Sequence, residues 1–186
     1  AMTGEPARPF SRWGTRRFLG PIPRSAFRVF LSKGLRAVAE VSPDGIEAIL
    51  DAADDVPYNV QLLAHGCWEA ARGQARPPKL TQDFVDAVNQ DLAHRNDPLY
   101  AQLWNGLTPA QQKALLAIIH EGGARLASSR VARRFGVPVT TMQKALQALT
   151  QRQLIREEGT GTAARLRLED PLLGTWVRLM IVVPTA

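Results

Sequence analysis

The chain has 186 residues, 45% of them hydrophobic, and a formal net charge of +6. That hydrophobic content excludes a disordered tail and supports a packed core, in one large domain or two small ones. No apolar run reaches the roughly 18 residues of a membrane span. The opening residues, AMTGEPARPFSRW, lack the apolar core of a signal peptide, and Ala1 ahead of Met2 reads as a cloning remnant. The single cysteine, Cys67, excludes an internal disulfide and fits a reducing cytoplasm.

Residues 1–24 form a basic arm. Prolines 6, 9, 21 and 23 forbid a continuous helix, and Arg8, Arg12, Arg16, Arg17 and Arg24 face Glu5 alone. Phe10, Trp13, Phe18 and Leu19 are too apolar for a free tail, so part of the arm is expected to lie on the domain. Ser25 is expected to cap a helix with Phe27, Phe30 and Leu31 inward; Gly34 interrupts or ends it, and Leu35 to Ala39 continue in helical register. Ser42-Pro43 starts a second helix that buries Ile46, Ile49 and Leu50. The Asp51, Asp54 and Asp55 cluster at its end opposes the helix dipole and lacks His or a Gly-rich ligand loop. It is therefore read as solvated, or paired with the N-terminal arginines, and not as a metal site.

Pro57 begins an apolar helix, PYNVQLLAHGCWEAAR. His65 and Cys67 have no second pair at zinc spacing, so Cys67 and Trp68 are read as packed core. Residues 73–79 (GQARPPK) are a connector. Thr81 caps the next helix, with Phe84, Val85, Val88 and Leu92 at helical spacing, and Asp97-Pro98 breaks it. Leu99, Tyr100, Leu103 and Trp104 form a short apolar segment, in which Trp104 is placed to bridge two lobes.

From Leu107 to Leu168 the pattern changes to three short helices and two short strands. Thr108, Pro109 and Gln111 form a capping box with proline at the first helical position. Leu115, Ile118 and Ile119 share a face, and Gly122-Gly123 stops the helix. The second helix starts near Ser128 or Ser129, carries Val131, Ala132 and Phe135, and ends at Gly136. The third is expected from Thr140, again with a glutamine three residues on, and buries Met142, Ala145, Leu146 and Leu149. The short link Gly136-Val137-Pro138-Val139 suits a helix-turn-helix. Leu154-Ile155-Arg156 and residues 164–168 then read as a hairpin with its tip at 157–163, Arg165 and Arg167 sharing one face.

This stretch holds ten Lys and Arg (113, 125, 130, 133, 134, 144, 152, 156, 165 and 167) and three acids (121, 157 and 158), net +7, whereas residues 1–106 balance to zero. A polyanion is the natural partner for that field. The expected nucleic-acid contacts are Arg130, Arg133 and Arg134 on the second helix and Thr140 and Thr141 at the start of the third. Gln143, Lys144, Gln147 and Gln151 follow along the third helix, and Arg156, Arg165 and Arg167 lie on the wing. A last helix starts at Asp170-Pro171. The tail Val182-Val183-Pro184 offers an apolar contact for oligomerisation.

Three phrases resemble the C-terminal part of archaeal-type P-loop ATPases of the AAA+/STAND group. Asp55-Val56-Pro57-Tyr58-Asn59-Val60-Gln61-Leu62-Leu63, followed by Trp68, resembles their lid helix. Leu107-Thr108-x-x-Gln111 with Thr141-Met142-Gln143-Lys144-Ala145-Leu146-x-x-Leu149 is similar to their winged-helix core. Asp170-Pro171-Leu172-Leu173-x-x-Trp176 resembles the helix that follows it. The resemblance implies a lid-like lobe and a winged helix that binds DNA or docks on protein, with a P-loop ATPase domain as partner in cis or in trans. The chain departs from that group in having no G-x-x-x-x-G-K-[ST] segment and in carrying Val56 where the group has Gly.

The reading is thus a mostly α protein: a helical lid-like lobe with its basic arm over 1–104, and a winged helix-turn-helix with a small β-hairpin over 105–183. Its expected role is non-catalytic DNA binding with no cofactor and no membrane contact. The alternative is a regulatory module that docks on an ATPase.

Overall fold

A computed structural model describes residues 22–159, 161 and 164–181. The basic arm up to residue 21, residues 160, 162 and 163 of the wing tip and the tail beyond Ile181 lie outside the described residues. Among those described, the helices are α1 (Arg24–Leu35), α2 (Pro43–Ala52), α3 (Pro57–Arg72), α4 (Gln82–Arg95), α5 (Asp97–Asn105), α6 (Pro109–Glu121), α7 (Ser129–Arg134), α8 (Val139–Gln151) and α9 (Pro171–Met180). Strands β1 (Glu40–Val41) and β2 (Lys79–Leu80) pair in parallel, and β3 (Ile155–Glu158) and β4 (Arg165–Leu168) form an antiparallel hairpin. The chain is mostly helical with a small wing, and residues from α6 to β4 have the winged helix-turn-helix arrangement.

Short polar side chains start α2, α4, α6 and α9 where the sequence places them. Helix α1 instead starts at Arg24 behind Pro23 with no side-chain cap, so Ser25 lies inside the first turn and does not cap it. Ser42 Oγ accepts from Gly45 N at 3.2 Å and donates to the Leu80 carbonyl at 2.9 Å, so one hydroxyl caps α2 and ties it to β2. Gly45 is required there: a Cβ would lie 2.0 Å from the Leu80 oxygen. Thr81 caps α4, and Thr108 and Gln111 form the reciprocal box at α6. Asp170 Oδ1 accepts from Leu172 N at the start of α9 while its other oxygen accepts from the Tyr100 hydroxyl at 2.6 Å.

Two apolar clusters result. The first gathers Phe27, Leu31, Ile46, Ile49, Leu50, Val60, Leu63, Cys67, Leu80, Val85 and Val88 from α1 to α4. The second is built on Leu115, Ile118, Met142, Leu149 and Ile155, completed by Tyr100 from α5 and Leu173 and Trp176 from α9. Leu92 packs against both, and Asn89 Nδ2 on α4 donates to Thr175 Oγ1 on α9 at 3.0 Å. The α4–α9 contact, more than Trp104, spans the seam. Trp104 is half-buried in the second cluster, its ring 6.5 Å from that of Trp176.

Several local expectations are corrected. Helix α1 ends at Leu35 instead of running in register to Ala39, and Phe30 is 61% exposed rather than inward. Phe27, Leu31 and Leu35 already fill the buried stripe at four-residue spacing, and residue 30 falls outside it. The 73–79 connector leads into a strand, because Pro77 and Pro78 hold it extended and the Pro78 carbonyl accepts from Glu40 N at 2.9 Å. Helix α8 starts at Val139, ahead of Thr140. Pro138 is the N-cap, with φ −56° and ψ 146°, and its carbonyl accepts from Met142 N. Thr140 therefore lies inside the first turn and caps nothing.

The Gly122-Gly123 pair both stops α6 and seats the wing. Gly122 takes the left-handed C-cap (φ 70°). The Gly123 carbonyl (φ 82°) accepts from Leu166 N at 3.0 Å, and a Cβ on Gly123 would meet the Leu166 oxygen at 2.0 Å. Gly123→Ala should therefore cost about 2–4 kcal/mol, combining left-handed strain with a backbone clash. Gly122→Ala, with open space around it, should cost only about 1–2 kcal/mol. Urea unfolding of the two variants checks the difference; equal losses would contradict a seat for the wing at Gly123.

Candidate nucleic-acid interface

Helix α8 presents two faces. Met142, Ala145, Leu146 and Leu149 are buried, while Thr140, Gln143, Lys144, Gln147 and Gln151 are exposed and Thr141 is half-buried. Positions 140, 143, 144, 147 and 151 recur at three- and four-residue spacing and so form one stripe. No side chain caps the start of α8, so its first backbone N–H groups remain available to an anion. The turn before it is braced by Lys113, whose Nζ donates to the Gly136 carbonyl at 3.2 Å.

The ten cations of this region are not equivalent. On α7, Arg130 and Arg134 both pair with Glu121, Arg134 at 2.5 Å. Glu121 closes α6, where a carboxylate opposes the helix dipole; the two guanidiniums offset that, Arg130 most, and hold its carboxyl below the ordinary range. Arg152 donates to the Gly106 carbonyl at 3.2 Å. On the wing, Arg156 and Arg167 stand opposite one another across the hairpin. Arg156 pairs with Asp54 at 2.8 Å and donates to the Leu168 carbonyl, and Arg167 lies 3.8 Å from Asp54 and 3.2 Å from Glu158. Among the described residues, Arg125, Arg133, Lys144 and Arg165 have no acidic partner, and all four are exposed.

The α8 stripe, Arg133 and Arg165 thus lie on open surface, as the sequence suggests. Arg130, Arg134, Arg156 and Arg167 stand in ion pairs whose partners the sequence does not reveal. Arg24 takes up Asp55 at 2.8 Å and Asp51 at 2.7 Å, the pairing expected of an N-terminal arginine. The third acid of that cluster does something else: Asp54 reaches the wing 102 positions away. Asp54 and Asp55 both have positive φ (52° and 54°), which turns their carboxylates to different neighbours. Only the run of three acids at a helix end hints at this.

Cys67 is fully buried, and burial pushes its thiol up to about 12, so no thiolate forms near neutral pH. Among the described residues no three His, Cys, Asp or Glu side chains gather as metal ligands, and no helix is long and apolar enough to cross a membrane.

Residues 105–166 match the sequence model of the MarR family. The matched stretch runs from the end of α5 to β4, one third of the chain. No curated protein and no solved structure matches the chain.

The Glu121 pairs fix a pH dependence. The folded-state carboxyl titrates below its unfolded value, so its contribution to stability is present above the unfolded pKa, about 4.3. It is lost as pH falls through the lower folded value. Thermal unfolding followed from about pH 5 to about pH 3 should show a steeper loss of Tm for the wild-type chain than for Glu121→Gln. Parallel curves would show that the pairs carry no linkage.

Proposed function

We propose that the chain is a DNA-binding regulatory module that reads duplex DNA through α8 and the wing, without catalysis. The observation that carries the reading is the solvent-facing stripe of α8, flanked by cations without acidic partners among the described residues, within the segment matched by the MarR family. Helix-turn-helix proteins lay the second helix of the pair in the major groove. In that pose Gln143, Lys144, Gln147 and Gln151 face base edges; glutamine can pair with adenine and lysine with guanine. The open first turn of α8, with Thr140 and Thr141, lies by a phosphate. Arg133 and Arg165 contact the backbone on either side of the groove. Arg130, Arg134, Arg156 and Arg167 join in only if they leave their carboxylates.

The second reading, docking on an ATPase or another protein, is favoured by Tyr58, which lies in the lid-like phrase and is 72% exposed. It makes the α8 stripe irrelevant to affinity for DNA, which separates the two.

Fluorescence anisotropy on random and selected duplexes at several salt concentrations tests the proposal. Arg133→Ala and Arg165→Ala should each weaken binding to all sequences alike and make the salt slope shallower by about 0.9 per lost phosphate contact. Gln147→Ala should instead relax sequence preference, by about 1–3 kcal/mol at one base pair. Duplex binding weaker than about 10⁻⁴ M at low salt, the weak end of non-specific association, would contradict the proposal and favour docking.

A further inference from the structure

The wing carries its cations on one face. Residues 165 and 167 share a face by strand alternation, and the register places Arg156 opposite Arg167 and Glu158 opposite Arg165. A row therefore runs from Arg165 near the tip inward to Arg167 and Arg156. Arg165 is exposed, whereas its two successors converge on Asp54, at the corner between α2 and α3. The Asp54 and Arg156 side chains are each 24% exposed, and Arg167 is 37% exposed. A carboxylate between two guanidiniums is chemically what a phosphate oxygen would be in the same place.

We infer that Asp54 is an intramolecular competitor for a phosphate site formed by Arg156 and Arg167, so that the first lobe restrains the DNA affinity of the second. This rests on the DNA-binding reading and adds a regulating residue to it. A backbone met first by Arg165 continues along the same face, and its next phosphate arrives where Asp54 now sits. Exchange needs only a change of guanidinium partner, since Arg156 keeps its bond to the Leu168 carbonyl. Because Asp54 belongs to the same chain, its effective concentration is high and the competition does not depend on protein concentration. A partly exposed pair of this kind is weak enough to be displaced by a polyanion.

The test uses the full chain and Asp54→Asn, which removes the charge, keeps the shape and tolerates the left-handed backbone at φ 52°. Asp86→Asn is the control. It removes one negative charge from a residue that, like Asp54 and Arg167, lines the cavity of about 360 Å³ at the seam, but Asp86 pairs with Gln82 and touches neither wing arginine. Far-ultraviolet circular dichroism verifies that both variants are folded. Asp54→Asn should tighten binding to random duplex by about three- to tenfold and steepen the salt slope by about one unit, chiefly through Arg156, since Arg167 keeps its nearer pair with Glu158 at 3.2 Å. The gain should vanish in a chain that also carries Arg156→Ala and Arg167→Ala, as a double-mutant cycle requires of a direct interaction.

An equal gain from Asp86→Asn, or a gain that survives loss of both arginines, would mean general charge repulsion and overturn the inference. So would unchanged or weaker binding by Asp54→Asn, which would make Asp54 a structural brace. If neither the wild-type chain nor Asp54→Asn binds duplex, the DNA-binding reading itself fails and the inference falls with it. If the wild-type chain binds and responds to Arg133→Ala and Arg165→Ala but not to Asp54→Asn, only the inference fails.

Discussion

A winged helix of about sixty residues buries too little surface to be comfortably stable alone, and that constraint shapes the rest of the chain. Here α5 and α9 supply the missing cover. Trp176 is buried, and its indole Nε1 donates to Asp97 at 2.8 Å. Asp170 caps α9 and accepts from Tyr100, so the last helix is fixed to α5 through both of its polar anchors. Each fully buried large apolar or aromatic side chain contributes about 1.5–3 kcal/mol. Leu173, Trp176 and Val177 together are therefore a large share of the stability of a small domain. Through the α4–α9 contact the same helix holds the first lobe against the second, and this brings Asp54 to the wing.

The electrostatic consequence is a sorting of charge. A net +7 over residues 107–168 suggests a uniformly basic surface. The fold instead directs two α7 arginines to Glu121, Arg156 to Asp54, Arg167 to Glu158 and Asp54, and Lys113 and Arg152 to backbone carbonyls. Among the described residues of this region the open positive charge is left on few side chains, set beside the polar stripe of α8. A surface of that kind offers a handful of directed contacts more than a diffuse field, and the salt slope expected of it scales with their number.

Much of this is legible in the residues because local signals agree with one another. Thr108-Pro109 with Gln111, Ser42-Pro43 and Thr81 mark helix starts by a mechanism that acts within one turn, and the buried stripe of α8 follows from its apolar spacing. The wing follows from alternation in residues 164–168. What stays hidden depends on partners distant in sequence. The β1–β2 pairing joins Glu40 to Lys79, and nothing local distinguishes two-residue strands from loop. The start of α8 is easily misplaced because Thr140 with Gln143 imitates a capping box, while Pro138 fixes the turn earlier. Asp54 reads as part of an acidic cluster, but its partner Arg156 lies 102 positions away on the wing.

In the proposed mode of binding the duplex is met by α8 and the wing while the first lobe stays off it. Titrating the isotope-labelled chain with a duplex and following backbone amide shifts by NMR tests this directly. The largest changes should fall on residues 139–151, on Arg133 and on the wing around Arg165, with α1 and α3 unmoved. Shifts confined to α1 or to the Tyr58 end of α3, with α8 silent, would contradict it.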